Sequence, residues 1–132
     1  MAASRVLVFL DANALIDLYL SRPRLKKLSQ VLAEINGQLV TSVLSVELCS
    51  YISRKEKDRG LKQLQDFMNG IDILALADST LSLSFRIAQD EDLEDALQVA
   101  CALENAVDVF ITGDVKLAKR YGHLLKIKLI TV

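Results

Sequence analysis

The chain has 132 residues, the size of one ordinary domain. Hydrophobic residues make up 52% and charged residues 25%, a balance that excludes disordered and collagen-like chains. Aromatic residues reach only 5%, without tryptophan. The core is therefore expected to be aliphatic, and a protein that stacks single-stranded nucleic acid on aromatic rings is disfavoured. The net charge of -1 gives the chain no overall basic character.

The cytoplasm is the expected location of this protein. The early apolar run at 6–10 ends at Asp11, so it is too short for a membrane span, and the acid argues against a signal peptide. Cys49 and Cys101 both lie in apolar helical patterns. We expect them to be reduced core residues rather than a disulfide framework. Residues 1–132 are expected to form a single domain.

Strand-like and helix-like segments alternate along the whole chain. The first, at 6–10, is a continuous apolar run typical of strands buried on both faces of a parallel sheet. Strands are predicted at 6–10, 39–41, 71–76 and 107–112, and an edge strand at 127–132. Helices are predicted at 14–20, at 25–35 with Gly37 as C-terminal cap, from 43 with Ser42 as N-cap, at 61–68, at 78–88, from an acidic first turn at 90–95 to 105, and at 115–121. This order predicts an α/β fold with a mainly parallel sheet.

Two acids closely follow predicted strands. Asp11 ends the first strand, and Asp114 comes two residues after the strand at 107–112. In an open α/β sheet, ligands bind outside the carboxyl ends of the strands, so both acids are expected at the same edge. Asp95 lies in the first turn of its predicted helix, three residues after Asp92.

Glu47 is unusual because of its position in the helix that begins at 43. It follows Val43 by four residues and precedes Tyr51 by four, so it shares the apolar face that we expect to point inward. A buried carboxylate without a partner is costly, which predicts that Glu47 faces a positive charge. Because the helix starts beyond the carboxyl end of the second strand, Glu47 is expected near the same edge as the other acids.

Four carboxylates at one edge would repel one another unless a cation binds between them. Oxygen ligands without histidine or cysteine select a hard divalent ion, Mg²⁺ or Mn²⁺, and such an ion acidifies water for attack on a phosphodiester. The single histidine, His123, lies in a weakly patterned segment and is not needed for this chemistry. The pattern favours a metal site built from Asp11, Glu47, Asp95 and Asp114.

Each acid also has a simpler interpretation. Carboxylates at helix starts cap the backbone and complement the helix dipole. This interpretation is open for Asp11, Asp95 and Asp114, and it is preferred for Asp92. Glu47 could instead pair with a lysine or an arginine. The remaining acids of the segment are expected to be solvated: Asp90, Glu91 and Glu94.

Four segments together resemble the PIN domain, a family of metal-dependent ribonucleases. They are Val-Leu-Val-Phe-Leu-Asp-Ala-Asn-Ala-Leu-Ile-Asp-Leu at 6–18, Ser-Val-Leu-Ser-Val-Glu-Leu at 42–48, Asp-Leu-Glu-Asp-Ala-Leu-Gln-Val-Ala at 92–100 and Asp-Val-Phe-Ile-Thr-Gly-Asp at 108–114. The resemblance implies a three-layer α/β/α fold and a metal held by one acid from each segment. These acids correspond to Asp11, Glu47, Asp95 and Asp114. The candidates for orienting ligands or water are Asn13, Asp92 and Thr112.

A free-standing PIN domain of this length is similar to the VapC-type toxin of bacterial VapBC toxin–antitoxin pairs. This similarity implies a dimeric endoribonuclease that is silenced by a small antitoxin protein. The leucine-rich helices at 25–35 and 61–68 also predict a homodimer, because surplus apolar surface marks interfaces. Three basic clusters are candidates for steering the RNA backbone, although a solvated helix face is the preferred interpretation of any single lysine. They lie at Arg22, Arg24, Lys26 and Lys27, at 54–62, and at Lys116, Lys119 and Arg120.

Three rival functions fit part of the pattern. A receiver domain would need an acidic pair at the end of the first strand and a lysine after the late strand, and this chain has neither. A haloacid-dehalogenase-type phosphatase would need Asp-x-Asp, whereas position 13 is asparagine. A binding module that kept the fold without catalysis stays open, although four intact acids argue against it.

Overall fold

A computed structural model describes residues 5–89 and 92–131. The five strands found there are β1 (Leu7–Leu10), β2 (Gln38–Ser42), β3 (Asp72–Leu74), β4 (Val109–Thr112) and β5 (Ile127–Leu129). The seven helices are α1 (Ala12–Tyr19), α2 (Leu25–Ile35), α3 (Val43–Lys57), α4 (Leu61–Phe67), α5 (Asp78–Ile87), α6 (Leu93–Glu104) and α7 (Val115–Tyr121). The predicted alternation of strands and helices is confirmed. Asp90 and Glu91, which were expected to be solvated, lie outside the described residues.

The five strands form one sheet in the order β3-β2-β1-β4-β5, and each neighbouring pair is parallel. β1 lies at the centre, where Val8 pairs with Leu39 of β2 and with Val109 of β4. β5 lies at one edge, as predicted. The prediction of a mainly parallel sheet is confirmed.

Side chains alternate between the two faces of the sheet and divide the core into two layers. Val8 and Ile111 belong to the layer that packs against α1, α2, α3 and α4. Phe9 and Phe110 belong to the opposite layer, with α6 and α7, and their stacked ring centroids are 5.0 Å apart. Helices therefore cover both faces, which is the three-layer α/β/α fold that the resemblance implies.

The two cysteines lie in different layers of this core. Cys49 packs in the layer of α1 to α4 and Cys101 in the layer of α6 and α7. Both thiols are free and buried, as expected from the sequence. Each helix in the described part of the chain is too short or too polar to cross a bilayer.

Two helix ends differ from the prediction for local reasons. α1 begins at Ala12 rather than at 14, because Asp11 caps it directly. The C-cap of α2 is not Gly37 but Asn36, which adopts the left-handed conformation with φ 50°. Gly37 is needed for close approach instead, since a Cβ there would lie 2.5 Å from the carbonyl oxygen of Val6.

Candidate functional site

The order of the strands places two of the predicted acids together. β2 and β3 extend the sheet on one side of β1, and β4 and β5 extend it on the other. The strand order therefore reverses between the parallel strands β1 and β4, which is where ligands bind in open α/β sheets. Asp11 directly follows β1, and its N–H donates to the carbonyl oxygen of Ile111 in β4 at 3.2 Å. Asp114 follows β4 by two residues. Both acids therefore lie at the carboxyl ends of the two central strands.

Asp11 is held on both sides of its carboxylate. Its Oδ1 accepts a hydrogen bond from the backbone N–H of Ala14 at 2.8 Å, and its Oδ2 accepts one from Thr112 Oγ1 at 2.5 Å. The residue is only 3% exposed. The pKa of Asp11 is raised to about 6: burial is the largest cause, the two hydrogen bonds oppose the rise, and the charges of Asp114 and Asp17 add to it. Asp11 thus caps α1 and is also a buried acid at the site.

Asp114 is fixed by the start of α7. Its Oδ1 accepts hydrogen bonds from the backbone N–H groups of Lys116 at 2.9 Å and Leu117 at 3.2 Å. Its own N–H donates to Thr112 Oγ1 at 3.0 Å. The Thr112 hydroxyl therefore joins Asp114 to Asp11, and the capping interpretation of Asp114 is correct for Oδ1. Oδ2 accepts no hydrogen bond from the described residues.

Asp95 approaches these two acids from the first turn of α6. Burial is the largest cause that raises its pKa, to about 8; a hydrogen bond with Asp92 and the charges of Asp92, Asp114 and Asp11 add to the rise. Three carboxyl groups from three separate elements thus lie close enough to perturb one another. Asp92 occupies the N-cap position of α6, but its side chain forms no capping hydrogen bond. The preferred interpretation of Asp92 as a side-chain cap is therefore wrong. Its carboxylate pairs with Arg120 instead.

Glu47 does not lie on the buried face of its helix. The buried residues of α3 are Ser45, Cys49 and Ser53, and Glu47 is exposed. Tyr51, which was expected to share an inward face with it, is 62% exposed. The prediction that Glu47 points inward is therefore wrong, because the side of α3 that faces the core carries Ser45, Cys49 and Ser53, with Val46 and Ile52 partly buried against the same layer. No lysine or arginine of residues 5–89 and 92–131 pairs with Glu47 either, so its predicted role rests on the family resemblance.

Two other predicted polar residues lie at the surface. Asn13 is exposed in the first turn of α1, two residues after Asp11. Glu94 is exposed in the first turn of α6, in line with the expectation of a solvated acid. Neither side chain forms a hydrogen bond with the described residues.

A buried polar network beside the acids was not predicted. Gln98 lies three residues after Asp95 on α6 and is 2% exposed. Its Oε1 accepts a hydrogen bond from Ser42 Oγ at 2.7 Å, and its Nε2 donates to Ser45 Oγ at 2.8 Å. The network joins the start of α3 to α6 and fixes the helix that carries Asp95. A glutamine between the apolar residues of α6 was the available signal.

An ion pair between α1 and the residue that precedes α2 was also not predicted from the sequence. Asp17 is 3% exposed, and its Oδ2 accepts a hydrogen bond from Arg24 Nε at 2.8 Å. The guanidinium of Arg24 rests against Gly113, between Thr112 and Asp114. An acid within the otherwise apolar stretch 14–20 could have indicated this pair.

The chemistry of the acids suits a hard divalent cation, although the described residues form no complete set of metal ligands. Three mutually repelling carboxyl groups of Asp11, Asp95 and Asp114, two of them with raised pKa values, are oxygen donors of the kind that Mg²⁺ and Mn²⁺ prefer. Among the described residues, however, no three histidine, cysteine, aspartate or glutamate side chains are grouped as metal ligands. The raised pKa of Asp95 means that an ion would have to displace a proton from this carboxyl group.

An apolar groove lies away from the acids. It has a volume of about 680 Å³ and is lined by α3, α4 and β3, with Val46, Leu61, Leu64, Met68 and Ile73 among its residues. None of the predicted site residues lines it. Leu61 is 70% exposed and Ile73 44% exposed, so the groove presents apolar side chains at the surface.

Comparison with known proteins gives one family and a consistent set of folds. A family model described as PIN domain matches residues 8–123. A toxin–antitoxin complex from Klebsiella pneumoniae superposes with a TM-score of 0.72 at 19% identity, covering 92% of this chain and 95% of that chain. VapBC2 from Rickettsia felis, bound to a DNA fragment from its promoter, gives 0.71 at 15% identity, covering 95% and 99%. VapBC-1 from nontypeable Haemophilus influenzae gives 0.68 at 18% identity, covering 94% and 98%. No curated protein matches the sequence significantly.

Proposed function

The chain belongs to the PIN domain family, and from this premise we propose that it is a divalent-metal-dependent endoribonuclease, using Mg²⁺ or Mn²⁺, and the toxin of a toxin–antitoxin pair. The observation that carries the proposal is the meeting of Asp11, Asp95 and Asp114 where the strand order reverses. Acids with raised pKa values in one place are typical of functional sites. Family membership also disfavours the receiver and phosphatase alternatives.

The residues of the chain would have distinct roles in this reaction. Asp11 and Asp114 are proposed ligands whose carboxylates are oriented in advance by α1, α7 and the Thr112 hydroxyl. Asp95 is a proposed ligand that holds a proton at neutral pH and releases it when a cation arrives. When bound, the ion supplies acidified water and offsets the charge on the phosphate.

Three further residues are proposed to contribute to the site: Glu47, Asn13 and Asp92. Glu47, which is exposed on α3, is the proposed fourth ligand, and Asn13, exposed two residues after Asp11, is proposed to orient ligands or water. Asp92 lies beside Asp95, whose pKa it raises, and its carboxylate is held by Arg120. In this assignment the proposed ligands Asp11, Glu47, Asp95 and Asp114 would contact the ion directly, whereas Asn13 and Asp92 would orient ligands or water.

RNA cleavage with matched variants tests the proposal. Wild-type protein should cleave single-stranded RNA with Mn²⁺ or Mg²⁺ and lose activity in EDTA. Asp11→Asn and Asp114→Asn should lower the rate more than about 100-fold, since even the outer partners of metal ligands cost 10–100-fold. Asp72→Asn, which removes an exposed carboxylate from β3, is the control and should leave the rate unchanged. Cleavage that persists both in EDTA and in Asp11→Asn would contradict the metal mechanism.

Calorimetry with Mn²⁺ separates the nuclease from a binding module. A PIN fold that binds RNA or protein without catalysis is the alternative to an enzyme. Binding of Mn²⁺ to wild type that is lost in Asp114→Asn supports the nuclease. Binding of RNA without uptake of Mn²⁺ and without cleavage would favour the module.

The proposed protein partner is an antitoxin. The similar folds come from VapBC and related toxin–antitoxin complexes, and the groove between α3 and α4 leaves Leu61 and Ile73 exposed, as expected of a surface that a partner covers. A short adjoining reading frame with a DNA-binding N-terminus would supply it. Co-expression should give a stable complex without RNA cleavage, and two separately migrating proteins with full activity would refute the pairing.

A homodimer in the cytoplasm is proposed for the free protein. Leu61 of α4 is 70% exposed and supplies surplus apolar surface in the segment 61–68, whereas Leu64 is buried. Sedimentation at micromolar concentration should give twice the mass of one chain. A mass equal to one chain would rule out the dimer.

A further inference from the structure

We propose that Arg24 binds a phosphate of the RNA directly beside the candidate acids. This inference rests on the proposed function, because it assigns the cation that this nuclease would use to hold its substrate. It starts from the charge of the site: Asp11, Asp95 and Asp114 all repel phosphate. A basic side chain close to them is needed to hold an RNA backbone there.

The contacts of Arg24 fix its position at the loop that carries Asp114. A Cβ added to Gly113 would lie 2.9 Å from Cζ of Arg24 and 3.0 Å from both Nε and Nη1. The guanidinium of Arg24 therefore packs against Gly113, in the space that the Cβ of any other residue would fill. Glycine at position 113 lets the cation approach the backbone between Thr112 and Asp114.

Asp17 holds the guanidinium from the interior. Its carboxylate is only 4% exposed and accepts a hydrogen bond from Arg24 Nε at 2.8 Å. The charge of Asp17 reaches Asp11, whose pKa it raises. A buried anion thus anchors the cation at the edge of the site, which lowers the entropy cost of using it for binding.

The terminal amino groups of Arg24 are available. Within residues 5–89 and 92–131, only the Nε–H donor of Arg24 has an acceptor, and the side chain is 30% exposed. The terminal N–H groups, which have no acceptor among these residues, would therefore contact a phosphate, which arginine binds in a bidentate way. Arg120 differs, because its guanidinium is bound to Asp92. Lys116 is exposed near Asp114, but no described residue anchors its ammonium group.

A purely structural role is the competing explanation. Arg24 neutralises Asp17, so removing Arg24 alone would leave a buried carboxylate unpaired. The double variant Asp17→Asn/Arg24→Gln separates the two roles. It removes the ion pair, leaves no unpaired charge and keeps the net charge of the wild type. If Arg24 only neutralises Asp17, the double variant should bind RNA as the wild type does.

Salt-dependent RNA binding provides the test. The affinity for a short labelled single-stranded RNA would be measured by fluorescence anisotropy from low to high KCl, with Ca²⁺ present and the RNA checked for integrity. The variants are Arg24→Gln, the double variant Asp17→Asn/Arg24→Gln, and Arg86→Gln as control. Arg86 is exposed on α5, and its charge acts on Glu104. Glu104 follows Asp95 by nine residues on α6, which separates the two by about 13 Å along the helix.

Arg24→Gln and the double variant should both reduce the slope of log K against log salt by about 0.7, the loss of one contact to single-stranded phosphate. Arg86→Gln should keep the wild-type slope. Recovery of the wild-type slope in the double variant, or an unchanged slope in both, would overturn the role of Arg24.

Cleavage with Mn²⁺, measured in parallel, reports on the proposed function separately. If the wild type binds RNA without cleaving it, the nuclease proposal fails while the slopes still decide the role of Arg24. If the wild type cleaves RNA and the slopes do not change, the nuclease stands and Arg24 does not bind phosphate. A wild type that neither binds nor cleaves RNA overturns both.

Discussion

Replacing Asp11 by asparagine should stabilise the metal-free protein at high pH. Folding raises the pKa of Asp11 from 3.8 to about 6, so the folded state binds the proton more tightly than the unfolded chain. The stability that this proton contributes is complete below pH 3.8 and is lost as the pH rises through about 6. At 1.36 kcal/mol per unit, the total loss is about 3 kcal/mol, of which about 2 kcal/mol falls between pH 4.5 and pH 8.

Asparagine removes this titration and keeps most of the local structure. It caps helices about as well as aspartate does, so its oxygen can still accept from the Ala14 N–H. Its amide cannot also accept from Thr112, and the loss of a hydrogen bond to a charged group costs about 2 kcal/mol. At pH 8 the net effect should be a gain of about 1 kcal/mol. At pH 4.5 the variant should be about as stable as the wild type, or less.

Urea denaturation in EDTA across this pH range measures the difference directly. The free energy of unfolding of Asp11→Asn minus that of the wild type should rise by about 2 kcal/mol from pH 4.5 to pH 8. Asp72→Asn removes one negative charge from an exposed position and should run parallel to the wild type. Parallel profiles for Asp11→Asn as well would show that burial does not hold the proton on Asp11.

Three further predictions concern the packing and the ion. Gln98→Ala should lower the free energy of unfolding by about 1–3 kcal/mol, because Ser42 and Ser45 lose their buried partner; an unchanged urea midpoint would contradict the network. Phe110→Ala should cost about 3–5 kcal/mol, since it empties a fully buried site against Phe9, and a loss below 1 kcal/mol would place that ring outside the core. Mn²⁺ should raise the melting temperature of the wild type but not that of Asp114→Asn, and equal shifts in both would place the ion elsewhere.

The sheet and two of the acids could be predicted because their positions follow from chain order. A fully apolar run such as 6–10 has few alternatives to a buried parallel strand. Once the strands are parallel, residues that follow them share one edge. Asp11 and Asp114 needed no further information to be placed together, and the strand order then put them at the centre.

The orientation of Glu47 could not be predicted in the same way. Assigning the inward face of α3 assumed that large apolar residues point to the core, yet Val43 is 51% exposed and Tyr51 62% exposed. Ser45 is buried instead, because the start of this helix is joined to Gln98 by hydrogen bonds. A polar contact between distant segments leaves no periodic signal in either of them.

The ion pairs that the acids form could not be predicted from the sequence pattern either. Asp17 is an acid in a mostly apolar helix, the situation that was expected for Glu47. The path of the segment between α1 and α2 brings its partner Arg24 to it. The pairing of Asp92 with Arg120 likewise joins residues 28 positions apart. The sequence pattern does not identify the partners in such pairs, although it shows the residue types that form them.

Capping and metal binding were treated as competing roles for these acids, and the structure makes them compatible. The two backbone donors at the start of α7 both use Oδ1 of Asp114, which leaves Oδ2 for an ion. The Ala14 N–H and the Thr112 hydroxyl take one lone pair on each oxygen of Asp11, and each carboxylate oxygen has about two. A cap also orients the carboxylate before any ion arrives, so that less conformational entropy is lost on binding. Helix starts at the carboxyl ends of parallel strands are therefore suitable positions for metal ligands, because the bonds that begin the helix also orient the ligand.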